Sequence, residues 1–252
     1  MPDPSAILPD IEAEAERLSR LAVTEGIPMR LMGGLAVRLR SESVRKSPYV
    51  REYADMDFAA SSSARGLVKA FLEREGYVPE KLFNAIHGAQ RLNYAEPNGR
   101  WTMDILIDEL AMSHRLDLRG RLDGPQPTLS LADLTLTKLQ IWEINRKDLG
   151  DVLCLLADHP LGQDGDGAIG LDRIGAVLGS DWGFCHTAER NLGKVAELWA
   201  AEPVAGARFD VARQVEGIAA AIAAAPKSLG WRARARVGER VRWYETPEEV
   251  QH

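Results

Sequence analysis

Residues 52–60 read EYADMDFAA. Polar and apolar side chains alternate here, with Asp55 and Asp57 pointing one way and Met56 and Phe58 the other. A period of two marks a strand with one wet and one buried face. Working outward toward the N-terminus, Met29–Met32 is a short extended run broken by Gly33-Gly34, after which Leu35–Arg40 can begin a helix. A polar stretch, residues 41–51, fills the gap. Residues 9–25 place Ile11, Ala15, Leu18, Leu21 and Ala22 at helical spacing, and Gly26 and Pro28 end that helix. In the other direction, Ser61–Ser63 caps a helix over 64–76, closed by its glycine. Residues 89–94 and 101–107 read as strands joined by a turn at Pro97-Asn98-Gly99.

Composition shifts near residue 124, where Gly124-Pro125-Gln126-Pro127 is a connector. Beyond it, 130–144 and 148–157 read as helices, 160–170 as a Gly/Asp-rich loop, and an Ala-rich helical run over 218–225 stops at Pro226. The expectation is therefore an α/β protein of the α+β type. Residues 1–126 form a mixed-sheet domain, and 127–252 a mainly helical domain with a basic tail; 252 residues suffice for two cores. The tail returns to alternation at 231–244, which predicts a strand.

Several classes are excluded. Hydrophobic residues make up 45% and charged residues 27%, as in ordinary globular proteins, and no stretch is long and apolar enough for a bilayer. The N-terminal segment is acidic and lacks signal-peptide order, so the expected location is cytoplasmic and no membrane partner is expected. Cys154 and Cys185 cannot make a zinc set, and Cys185-His186 has no partner ligands nearby in sequence. Asp164-Gly165-Asp166-Gly167 lacks the spacing and final Glu of an EF-hand and reads as a flexible loop. Trp182, Trp199, Trp231 and Trp243 read as core or interface anchors. A net charge of −6 argues against a cationic coat, yet residues 227–242 carry +5, which leaves −11 for the rest. Alternation would put Arg232, Arg234 and Arg236 on one face beside Trp231. That pattern suits phosphate backbones and stacked bases, or else a solvated face paired with the acidic surplus.

Three features carry chemistry in order: Gly33-Gly34 at the mouth of a helix, Asp55-x-Asp57 on a strand, and Asp104 on a later strand within WTMDILID. Phosphoryl transfer to a hydroxyl needs charge neutralisation and alignment more than covalent help. Two Mg2+ ions about 3.5–4 Å apart can clamp the attacking and leaving oxygens, and magnesium takes hard oxygen ligands. Residues i and i+2 of a strand share a face, so Asp55 and Asp57 can hold both ions. Asp104 can complete one shell and accept the hydroxyl proton. The glycines let backbone N–H groups approach a triphosphate at a helix N-terminus.

The runs MGGLAVRLRSES, REYADMDFAAS and WTMDILID together resemble the DNA polymerase beta-like nucleotidyltransferase superfamily, most nearly its minimal members and the toxins of abortive-infection systems. The resemblance covers about residues 29–158. The interval between Gly34 and Asp55 is longer than in the smallest members. Residues 134–156, LTLTKLQIWEINRKDLGDVLCLL, resemble the family's following helical motif. The likeness implies that Asp55, Asp57 and Asp104 are catalytic and metal-binding, that Gly33 and Gly34 face the nucleotide, and that Lys138 reaches its phosphates. Asp148 would hold the helical domain against the site, or simply cap its helix. Arg51, Arg38 and Arg91 are further candidates for phosphate contact, each with a solvated surface role as the alternative; His87 reads as structural or solvated. The implied activity moves a nucleoside monophosphate from an NTP to a hydroxyl on RNA, protein or a small molecule and releases pyrophosphate. The alternative is a nucleotide-binding regulatory or toxin–antitoxin partner protein of the same fold that has lost catalysis.

Overall fold

The structure, a computed structural model, describes residues 7–165 and 167–246. The first six residues of the acidic N-terminal segment, Asp166 of the Gly/Asp-rich loop and the last six residues lie outside the described part. The chain has the mixed helix-and-strand content expected of an α/β protein. It divides into two compact units. The first comprises residues 1–40, 51–110 and 117–129; the second comprises 41–50, 111–116 and 130–252.

In the first unit, α1 (Ile11–Thr24) starts at Asp10, whose carboxylate accepts from the Ala13 N–H at 2.8 Å. Strand β1 (Met29–Met32) leads into α2 (Gly33–Arg40), so both glycines belong to the first turn of that helix. Strand β2 is Asp55–Ala60, followed by α3 (Arg65–Arg74), β3 (Val78–Pro79), α4 (Lys81–His87), β4 (Arg91–Ala95) and β5 (Thr102–Ile107). Helix α4 falls in a stretch where no element is expected from the residues alone. None of its seven residues is buried, and Leu82, Phe83 and Ile86, though at helical spacing, span too short a run to mark a helix by themselves.

The sheet order is β1-β2-β5-β4-β3. Strands β2 and β5 are parallel, with Asp57 opposite Asp104, while β1–β2 and β4–β5 are antiparallel. One face is the core: Met56, Phe58, Leu92, Tyr94, Met103 and Ile105 are completely buried. The register of β4 against β5 is set by a tight turn. Glu96 accepts from the backbone N–H groups of Asn98 and Arg100 and from both their side chains, and the Arg100 guanidinium holds its carboxyl down at about 2. Gly99 takes a φ of 72°, a left-handed conformation suited to glycine.

A short hairpin, β6 (Glu109–Ala111) and β7 (Arg115–Asp117), carries the chain into the second unit and back. That unit is built of α5 (Leu131–Leu139), α6 (Arg146–Asp158), the two-residue parallel strands β8 (Leu161–Gly162) and β9 (Ile169–Gly170), α7 (Leu171–Ser180), α8 (Trp182–Ala201), α9 (Val211–Ala224) and α10 (Leu229–Val237). Helix α5 is the hub. It packs against α6, α7 and α8, and all nine of its residues are buried. The segment 41–50 belongs to this unit through Asp158, which closes α6 and accepts from the hydroxyls of Ser41 and Ser43 and from the Ser43 N–H. Among the described residues, no helix is long and apolar enough to cross a membrane.

Residues 231–244 depart from the strand expected there. Ser228 caps α10 by accepting from the Trp231 N–H at 3.0 Å, and the strand pattern gives way to a helix through Val237 and a 3-10 turn over Gly238–Arg240. Arg and Ala alternate in this stretch, but both are strong helix formers, and the cap supplies the nucleus that the alternation conceals.

Candidate functional site

The wet face of the first unit's sheet collects the predicted acids. Asp55 opens β2 and is exposed; Asp57 and Asp104 are half-buried. Asp55 and Asp57 share a face by their i, i+2 spacing, and the parallel register sets Asp104 directly beside Asp57. The glycine turn lies against this row. Gly33 has a φ of 68°, and a Cβ there would overlap the Asp57 carboxylate oxygen. A Cβ on Gly34 would come within 2.6 Å of the Arg51 guanidinium and 2.9 Å of the Tyr53 ring. The glycines are therefore required sterically: they let the backbone pass against Asp57, Arg51 and Tyr53. Arg51 in turn lies over the Tyr53 ring, 5.1 Å from its centroid.

Asp104 is held from the other side. Arg91 on β4 grips it with a bidentate pair, Nε to Oδ1 at 2.9 Å and a terminal nitrogen to Oδ2 at 2.6 Å. Asn93, opposite Asp104 in the register, adds a donor to Oδ1 at 3.0 Å. Hydrogen bonding to Asp104 raises the Arg91 pKa, and the charge of Asp57 adds to the effect. Asn93 is itself clamped: its N–H donates to Asn84 of α4 at 2.7 Å, and its carbonyl accepts from the Asn84 amide at 2.9 Å. Helix α4 thereby supports the acid row although it buries nothing. His87, at the end of α4, is exposed and tilts against Phe83. Arg38 pairs with Glu12 at 2.8 Å.

Lys138 and Asp148 meet in the second unit. The Lys138 ammonium lies 2.6 Å from Asp148 and 3.1 Å from Asp151, and all three are nearly inaccessible. Burial opposes the charge, yet Asp151 and Asp148 outweigh it and raise the lysine's pKa. The polar neighbours Thr135 and Thr137 do not signal a solvated helix face; their hydroxyls donate to the Leu131 and Leu134 carbonyls. Asn145 caps α6 by accepting from the Asp148 N–H at 3.0 Å, and its amide donates back to the Asp148 carboxylate. Asp148 is thus both the lysine's partner and part of a cap.

The acid row offers the hard oxygens that magnesium prefers, and Asp55 and Asp57 fit that role. Asp104 fits it less directly, because both its oxygens are engaged by Arg91 and Asn93. Among the described residues, no three His, Cys, Asp or Glu side chains converge as a preformed metal cage. A shallow cleft of about 340 Å3, lined by Lys69, Glu73 and Tyr94 among others, includes none of the three aspartates.

Of the residues singled out in the sequence, the structure brings together Gly33, Gly34, Arg51, Asp55, Asp57 and Asp104 in the first unit, and Lys138 with Asp148 in the second. The reading missed Asn93, Asn84 and Asp151. The signal for Asn93 was present: in RLNYA the polar residues 91 and 93 alternate, and the turn at Gly99 places 93 opposite 104. Comparison with models of known families and with curated proteins gives no match to this chain.

Proposed function

We propose that this chain is a magnesium-dependent nucleotidyltransferase that moves a nucleoside monophosphate from an NTP to a hydroxyl acceptor. The observation that supports this best is the in-register placement of Asp57 and Asp104, with Asp55 on the same face and the Gly33 backbone against the Asp57 carboxylate. Asp55 and Asp57 would hold the magnesium, which when bound supplies charge neutralisation on the phosphates. Backbone at Gly33 and Gly34 and the Arg51 guanidinium beside them suit a triphosphate. Arg91 can exchange one anionic partner for another, carboxylate for phosphate. Asp104, once released, takes the proton of the attacking hydroxyl on a carboxylate oxygen. The acceptor oxygen forms a bond to the α-phosphorus, the bond from that phosphorus to the bridging oxygen breaks, and pyrophosphate leaves with the electron pair.

The acceptor is an RNA, a protein or a small molecule. The test is incubation of the protein with each α-labelled NTP, magnesium and total cell extract, followed by separation of RNA, protein and small molecules. Wild type should transfer label and Asp57→Asn should not, with the fold of the variant intact. Equal labelling by the two would refute the role of Asp57. A second reading, a nucleotide-binding protein without turnover, draws on the closed Arg91–Asp104 pair. Magnesium-dependent NTP binding with no pyrophosphate released in any extract would favour it.

A further inference from the structure

Asp104 is gripped unevenly. Among the described residues, its Oδ1 accepts from two donors, Arg91 Nε at 2.9 Å and the Asn93 amide at 3.0 Å, whereas its Oδ2 accepts from an Arg91 terminal nitrogen alone, at 2.6 Å. The two donor residues reach it differently. Arg91 lies opposite Leu106, one step along the same sheet face, and crosses diagonally on a long side chain with many rotamers. Asn93 stands directly opposite Asp104 and spans the gap with only two side-chain torsions. The Asn93 backbone is fixed where the sheet runs out. Strand β3 pairs with β4 at Tyr94 and Ala95 and then ends. From there the Asn84 side chain stands in for a neighbouring strand: its oxygen accepts from the Asn93 N–H at 2.7 Å and its amide donates to the Asn93 carbonyl at 2.9 Å. The Glu80 N–H donates to the same carbonyl at 3.0 Å. Water can satisfy the backbone groups of a half-buried edge residue; a side chain that meets both of them also holds the residue in place.

We infer that Asn93 is a positioning residue for Asp104: it keeps hold of Oδ1 when Arg91 turns to phosphate, and so leaves Oδ2 as the oxygen that faces the acceptor hydroxyl. Asn84 acts through it. The inference rests on the transferase reading, in which the hydroxyl proton passes to Asp104 as the acceptor oxygen bonds to the α-phosphorus and pyrophosphate departs. A carboxylate released by Arg91 and held by nothing else turns about its side-chain bonds, and few of its orientations place an oxygen in line with the hydroxyl. A neutral amide suits this role better than a second cation, because it orients the carboxylate as a donor and leaves its charge in place. The division follows the chemistry of the two side chains: the long, mobile guanidinium leaves, and the short amide on a clamped strand stays.

Two measurements on the full chain test this, the first without NTP or magnesium. In an Arg91→Met background, where the guanidinium is gone, Asn93→Ala and Asp104→Asn should be non-additive in urea unfolding, coupled by about threefold or more in the unfolding constant. Alanine at 93 keeps the main-chain bonds to Asn84, so the strand stays clamped. Additive effects would show that Asn93 does not hold Asp104 by itself and would overturn the proposal. The second measurement is transfer of label from an α-labelled NTP to the fraction that wild type labels. With Asn93→Ala the rate at saturating NTP should fall at least about tenfold, while the NTP concentration for half-maximal rate stays within about twofold of wild type. Asn84→Ala should lower the rate in the same direction and by less. A residue that only supported the sheet would lower the melting temperature and leave the rate per folded molecule unchanged. A wild-type rate in Asn93→Ala, with wild type active, therefore refutes the positioning role and leaves the transferase reading standing. A wild type that transfers no label in any extract refutes the transferase reading itself, and the role of Asn93 with it.

Discussion

Replacing Arg91 with methionine removes the side chain that grips both oxygens of Asp104. Its effect can be worked from the geometry. Two charge-assisted hydrogen bonds are lost, each of a kind that contributes about 1.5–3 kcal/mol when shielded. The Arg91 side chain is 33% exposed and that of Asp104 19%, so water screens part of this. A fully exposed pair would be worth about 0–1 kcal/mol. Between these limits, a double-mutant cycle of Arg91→Met with Asp104→Asn should give a coupling of about 1–2 kcal/mol in urea unfolding. The single Arg91→Met variant should lose more than the coupling. Asp104 would then keep its charge beside Asp57, its register partner on β2, without the Arg91 guanidinium that offsets it. Magnesium should restore more stability to Arg91→Met than to wild type, since a cation relieves the same repulsion. A coupling below about 0.5 kcal/mol would show that the pair is a solvated contact, and the reasoning about Asp104 would fail.

Three further outcomes follow from the packing. Gly33→Ala should destabilise the chain by more than about 2 kcal/mol, because left-handed backbone alone costs roughly 1–2 kcal/mol with a side chain and the new methyl displaces Asp57; unchanged urea unfolding would refute the close approach. Lys138→Ala should cost about 3–5 kcal/mol by leaving Asp148 and Asp151 buried without their cation; a loss under about 1 kcal/mol would mean the cluster is wetter than its burial indicates. Burial pushes the His114 pKa down to about 4, against the opposing pull of Asp181 and Glu245. The unfolded chain takes this proton near its ordinary pKa and the folded chain refuses it. His114 therefore costs nothing at neutral pH, and stability falls as pH drops from about 6.5 to 4, by at most about 3 kcal/mol. His114→Gln should flatten that part of the stability–pH curve, and an identical curve would exclude the histidine as its source.

The strand at 52–60 was legible because its alternation reflects a sheet with one wet and one buried face, and the same pattern marked β4, β5 and the turn between them. Helix α1 was legible from its periodicity and its breakers. Helix α4 was not, because its run makes only about two turns, too short for Leu82, Phe83 and Ile86 to stand out as a period. The tail misled for the opposite reason: Arg and Ala alternate with period two, and only the Ser228 cap reveals the helix. At the candidate site, i, i+2 spacing identified which acids share a face, but not what else reaches them. The grip of Arg91 on Asp104 depends on a strand register fixed at the Glu96–Gly99 turn, several residues away in sequence. The resemblance implied a Lys138 that reaches phosphates, and its polar sequence neighbours, whose hydroxyls are satisfied by the helix's own carbonyls, gave no sign of the buried pairing with Asp148 and Asp151.

The anchoring of Ser41 and Ser43 by Asp158 has a consequence in time. Ser43 and Asp158 are separated by 115 positions. At a ribosomal speed of about 5–20 residues per second, the carboxylate that secures this segment is made roughly 6–23 s after the serine. Val44 and Tyr49, buried once the chain is complete, have to wait through that interval without their helical neighbours. An emerging chain therefore carries an unfinished apolar stretch between β1 and β2, the two strands that must pair around it. A nascent polypeptide halted before residue 158 should consequently expose that stretch to chaperones, even where its first strands have already begun to associate.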